Sequence, residues 1–222
     1  MAISLVFSTA EAVVMLVVVL LAWSRWQALD QGGKWMARGV AVSVVLVPVA
    51  VAMILKNQRT HVVTETQALF ETACLAAAFA AWQPRAAARR WVRISIPVFV
   101  LLWGAGLIGQ GLNAEFSYLT GPLASVYKTS LAGLTLVSQV SVSSDRWTSR
   151  LWFWGSVGVM LIYGTEVILY PLWAHIFRVR NDLVFAAFVL HLTIAVVGYG
   201  LIARAYYRID RRHPERPAVP LG

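Results

Sequence analysis

LWFWGSVGVMLIYGTEVILYPLWA, residues 151–174, carries one charged side chain, Glu166, in twenty-four positions. An α-helix rises about 1.5 Å per residue and needs about 20 apolar residues to cross the hydrocarbon core of a bilayer. This run is long enough. Backbone N–H and C=O groups in lipid must be satisfied within the segment, so an uninterrupted run predicts a helix. A β-barrel would show short alternating stretches instead. Working outward, six further runs of the same kind occur at roughly 3–24, 38–56, 62–82, 92–112, 121–142 and 182–204. The first begins almost at Met1, has no basic leading segment and carries Glu11, so it reads as an uncleaved first helix.

Composition agrees. Of 222 residues, 59% are hydrophobic and only 13% charged, with mean hydropathy +0.68. A soluble domain of this size needs more charge to cover its surface. The fold class expected is therefore all-α: an integral membrane bundle of seven transmembrane helices over residues 1–207. A basic tail over 208–222 is too short for an output domain.

The formal net charge of +9 would suggest nucleic acid in a soluble protein. Here the basic residues sit between apolar runs, and nucleic acid is not an expected partner. One set of connections holds Arg25, Lys34, Arg38, Arg85, Arg89, Arg90, Arg93, Arg146, Arg150 and the tail residues Arg204, Arg208, Arg211, Arg212 and Arg216. The other set holds Lys56, Arg59, Arg178 and Arg180. Fourteen against four places the N-terminus outside and the C-terminus in the cytoplasm by the positive-inside rule, as a multi-pass protein of the cell inner membrane.

Tryptophans near the run ends (Trp23, Trp26, Trp35, Trp82, Trp91, Trp147, Trp152 and Trp154) read as an interfacial aromatic belt. Pro48 and Pro97 are candidate kinks, and Gly104, Gly106, Gly109 and Gly111 predict a small face for close packing on the fourth helix. Cys74, the single cysteine, excludes a disulfide framework or a multi-cysteine metal site and reads as a packing residue.

Ionisable residues inside membrane helices are costly and therefore informative. Measured from the predicted outer helix ends, Glu11, Glu71, Lys128, Glu166 and His191 fall at about 10–14 Å depth, and Glu65 at about 5 Å. Five groups from five helices share one layer in the outer half, with nothing comparable in the inner half. Tyr163 and Tyr170 flank Glu166 on its own helical face, Gln67 precedes Glu71 by four residues, and Ser125 precedes Lys128 by three. A polar pocket open to the outside would bind a charged or amine-bearing ligand, a metal ion or a proton. No HxxxH or ExxH pair singles out a metal, so no metal or cofactor is expected. The same residues also read as structural, with Lys128 neutralising one glutamate and the others acting as interhelical glue.

The segment Leu151–Trp173 resembles the sixth helix of the seven-helix sensor modules of bacterial membrane histidine kinases and their stand-alone relatives. The stretch Asn57–His61 leading to Glu65 and Glu71, and the loop Glu115–Tyr118, fit the same layout. The resemblance implies a sensory role, with output passing to a cytoplasmic or membrane signalling protein. The strings Tyr170-Pro171 and Gly198-Tyr199-Gly200-Leu201 are similar to microbial rhodopsins. The retinal lysine expected near Val196 is missing, and Lys128 lies on the wrong helix. Two other functions fit the layout: a small-solute or ion transporter or channel, and a non-catalytic subunit of a larger membrane complex. No nucleophile–base or metal signature points to catalysis, so an enzyme is not expected.

Overall fold

A computed structural model describes residues 2–56, 60–111, 119–142, 147–179 and 181–209. Several residues singled out above lie outside the described ones: Asn57 to Arg59, Glu115 to Tyr118, Arg146, Arg180, the side chain of Arg178 and the tail beyond 209. The described residues form seven α-helices and no strand: α1 Ala2–Ser24, α2 Gln31–Leu55, α3 His61–Trp82, α4 Ala86–Gln110, α5 Thr120–Val140, α6 Leu151–Val179 and α7 Asn181–Arg208. A single 3-10 turn, Trp147–Ser149, precedes α6.

Four stretches are long and apolar enough to cross a membrane: Gln31–Met53, Ala86–Gln110, Leu151–Tyr170 and Ala186–Arg208. A shorter apolar stretch, Ala10–Ser24, covers much of α1. The helices α3 and α5 are not among the four. They carry Glu65, Glu71 and Lys128, and all three side chains are buried against neighbouring helices. These ionisable side chains face protein rather than the outer surface of the bundle. Leu20, Leu101, Ile108 and Ile168 are instead exposed, so the molecule presents an apolar outer surface suited to lipid.

Six helices close into a ring in the order α1, α2, α3, α5, α6, α7 and back to α1, while α4 packs outside against α3 and α5. One end of the bundle gathers the C-termini of α1, α3, α5 and α7 with the N-termini of α2, α4 and α6. It holds Arg25, Lys34, Arg38, Arg89, Arg90, Arg150 and Arg204, and is called the basic end below.

The helices α2 and α4 start earlier than their apolar runs. Asp30 caps α2: its Oδ1 accepts the Gly33 N–H at 2.6 Å, and its carbonyl accepts the Lys34 N–H at 3.1 Å. Helix α4 opens at Ala86, with the Arg89 N–H donating to the Arg85 carbonyl. Lys34, Arg38, Arg89, Arg90 and Arg93 therefore sit on helical turns, where a long basic side chain reaches the interface while its backbone stays bonded. Both α2 and α4 continue past Pro48 and Pro97 as single helices.

Close helix approach lies elsewhere than predicted. A Cβ on Gly104 would meet nothing within 4 Å, and one on Gly106 or Gly109 only ordinary contacts with Leu119 and Thr120. The tight crossing is α6 on α7. A Cβ on Gly158 would stand 2.7 Å from the Gly198 carbonyl oxygen, and one on Gly198 2.9 Å from that of Gly158. The aromatic belt is also divided: Trp23 and Trp91 are exposed, whereas Trp82 and Trp152 are buried in the core with Phe79, Met36 and Tyr206.

Candidate functional site

Glu71, on the inward face of α3, meets α5 and α6. The Tyr163 hydroxyl donates to Glu71 Oε1, and Lys128 Nζ lies 4.0 Å from Glu71 Oε2. The same ammonium stands 3.3 Å above the centroid of the Tyr163 ring. Lys128 is thus held between a carboxylate and a π face, both removed from water. Tyr199 of α7 is buried beside them, within electrostatic reach of Glu71. Both oxygens of Glu71 are engaged, and this part of the cluster is closed.

One turn earlier on α5, Ser125 faces a different carboxylate. Its hydroxyl donates to Glu166 Oε2 at 2.5 Å and also reaches the Gly121 carbonyl. The other oxygen of Glu166 lies 3.7 Å from Nε2 of His191 on α7. The side chains of Glu166 and His191 are 18% and 13% exposed, more open than Lys128 at 4%. Glu11 of α1 is half-buried, within electrostatic reach of Glu166 and Glu71. Tyr170 feels Glu166, Glu65 and Glu71, and its ring packs where a Cβ on Gly121 would stand, 2.6 Å away.

The structure therefore brings Glu71, Lys128 and Tyr163 into one group on α3, α5 and α6 and Glu166 and His191 into a second on α6 and α7, with Glu11 and Tyr170 within electrostatic reach. Three carboxyl groups face one lysine and one histidine, a surplus of acceptor oxygens that suits a cation or a hydrogen-bond donor. Among the described residues no three His, Cys, Asp or Glu side chains gather as metal ligands. Gln67, expected beside Glu71, makes no side-chain hydrogen bond there among the described residues, and Ser125 serves Glu166 rather than Lys128.

Glu65 belongs to a separate knot at the end away from the basic residues. The Gln110 amide donates to Glu65 Oε1 at 3.2 Å and to the Thr120 hydroxyl at 2.9 Å, and Thr120 donates to Glu65 at 2.8 Å. Gln110 Oε1 accepts the N–H groups of Leu119 and Thr120, and His61 lies 3.8 Å from Glu65. This fully buried set ties α3, α4 and α5 together.

The basic end also holds buried polar groups. Asp30 Oδ2 accepts the Trp82 indole N–H at 2.8 Å. Gln83 donates to Thr135 at 2.9 Å and accepts from Ser138 at 2.9 Å, and Gln139 donates to the Trp82 carbonyl. Tyr206 of α7 donates to the Gly33 carbonyl at 2.7 Å. Burial raises the Asp30 carboxyl above its ordinary 3.8, against the opposing pull of the Gly33 N–H, Trp82 and Lys34. The sequence holds a signal for this: an aspartate in front of Gly32-Gly33 at a helix start is an N-cap pattern. The indole edge of Trp82 fills the space a Cβ on Gly32 would need.

Comparison of the chain with protein-family models, with curated proteins and with solved structures gives no match.

Proposed function

We propose that the chain is a non-catalytic sensory module of the cell inner membrane. In this reading all seven helices span, with the N-terminus outside and the C-terminus cytoplasmic. A small cationic or amine-bearing ligand, or an ion, enters the outer half and is held by Glu166 and His191, with Glu11 and Tyr170 at the rim. The observation that carries the reading is the division of the polar cluster. Glu71, Lys128 and Tyr163 satisfy one another, while Glu166 and His191 are more open and 3.7 Å apart, beyond hydrogen-bonding distance. A cationic or donor ligand reaching this more open pair can bind Glu166 without breaking the Glu71–Lys128–Tyr163 contacts.

The path from site to output uses helix geometry. Glu166 lies eight residues from Gly158 and His191 seven from Gly198, about 10–12 Å along each axis from the tight α6–α7 crossing. A ligand that draws Glu166 and His191 together would rotate α6 against α7 about that crossing. The motion would reach Tyr206 and Gly33 at the basic end, and there a signalling protein in the cytoplasm or membrane. The well-bonded groups at that end, Gln83, Thr135 and Gln139, favour signalling over a through-path for solute.

The test is a thermal-shift screen of the purified protein in detergent with amines, metal ions and organic acids. A ligand of the native state raises the melting temperature by mass action, by an amount set by its concentration over Kd. A stabilising amine or ion whose effect disappears in Glu166→Gln, while that variant melts normally without ligand, is the expected result. Equal stabilisation of wild type and Glu166→Gln would defeat the assignment.

A further inference from the structure

We propose that the corner where α1 turns into α2 is a binding site for the phosphate headgroup of an anionic phospholipid, with an acyl chain lying along α1. A cavity of about 530 Å³ opens there, lined by Trp23, Ser24, Arg25, Trp26, Gln27 and Ala28. Arg25 presents a guanidinium held in place: its Nε donates to the Ile209 carbonyl at 3.3 Å, and Nη1 reaches the Ser24 hydroxyl at 3.2 Å. Two more cations stand beside the cavity on the same indole, Arg38 at 5.5 Å and Lys34 at 5.9 Å from the Trp26 ring centre. None of the three is in an ion pair among the described residues. Among the described residues the Asp30 carboxylate at this corner points inward to Gly33 and Trp82. Lys34 shares its charge with Asp30, while the guanidinium groups of Arg25 and Arg38 form no ion pair among the described residues, which suits a phosphate that can accept from a guanidinium fork.

The apolar half of the site identifies the occupant as a lipid rather than a free anion. Val13, Leu16, Val17 and Leu20 lie on one exposed face of α1, at helical spacing, and run directly into Trp23, which is 76% exposed. Aliphatic stripe, interfacial indole and cationic cavity follow one another in the order of acyl chain, glycerol region and headgroup. A smaller cavity at the start of α4, lined by Arg90, Trp91 and Ile94, repeats the pairing of cation and exposed indole at the same bundle end. Basic residues near a membrane surface each favour anionic lipid by about fivefold. The site does not depend on the ligand reading above.

Retention of phosphatidylglycerol and of phosphatidylcholine by the detergent-solubilised protein, measured by native mass spectrometry, tests the proposal. Phosphatidylglycerol should be retained about fivefold or more over phosphatidylcholine. Arg25→Gln and Trp23→Ala should each remove most of that preference. Lys56→Gln, at the opposite end, should leave it unchanged. If Arg25→Gln does not fold, Arg38→Gln, whose guanidinium stacks on Trp26 and Trp35, gives the same reading. Equal retention of the two lipids, or an equal loss with Lys56→Gln, overturns the site. Inorganic phosphate that displaces the lipid and raises the melting temperature as much would make the corner a free-anion site and overturn the lipid assignment.

Discussion

Lys128 shows how a single ionisable side chain is tolerated at this depth, because two neighbours of different chemistry share its charge. Removing it leaves Glu71 with only the Tyr163 hydroxyl, and an uncompensated buried charge costs about 3–5 kcal/mol. Lys128→Met should therefore unfold markedly earlier in a denaturant titration, and Glu71→Gln combined with Lys128→Met should recover much of the loss. Additive losses in the double variant would show that the pair is not coupled. Asp30 makes a prediction with a sign. Its folded carboxyl is raised above 3.8, so it binds a proton more tightly folded than unfolded. The stability it contributes is full below 3.8 and is lost as pH rises through the folded value. Melting temperature followed against pH should carry this decline in wild type, and Asp30→Asn should lack it. At this scale the sequence was legible in which side chains share a level of the bundle but not in direction. A rise of about 1.5 Å per residue placed Glu71, Lys128 and Glu166 in one layer. Which carboxylate Ser125 would face depended on helix rotation, and rotation is set by packing that spacing alone does not encode.

Among the elements, the helices were readable because a long apolar run leaves the backbone one way to bond in lipid. Their starts were not, because Asp30 and the arginines of α4 extend helices into stretches that hydropathy marks as loop. The glycines were misleading for a related reason. Gly104 points to open space and Gly106 and Gly109 make only ordinary contacts, while Gly158 and Gly198, one on each of two separate runs, carry the close approach. Gly158→Val should force α6 from α7 and lower stability by about 1–3 kcal/mol, the usual cost of overpacking. Gly104→Ala should be neutral or slightly stabilising, by up to about 1 kcal/mol from helix propensity alone. Thermal melts of the two variants side by side check both, and a destabilising Gly104→Ala would mean that α4 meets a partner on that face.

For the whole molecule, the proposed topology makes a labelling prediction. Single cysteines at Lys56 and at Ser24, in a Cys74→Ala background, should react with a membrane-impermeant thiol reagent from outside and from inside respectively. The reverse pattern would invert the bundle and put the more open glutamate–histidine pair on the cytoplasmic side. The bundle is also a ring whose last helix seals its first: α7 packs on α1, and Tyr206 reaches back to the Gly33 carbonyl. During synthesis, the inward face of α1 therefore waits through five intervening helices, and the carbonyl of Gly33 on α2 through four, for their partner. Until α7 leaves the ribosome, the nascent chain is an open crescent, and a membrane chaperone or quality-control protease would meet its seam on α1 and α6.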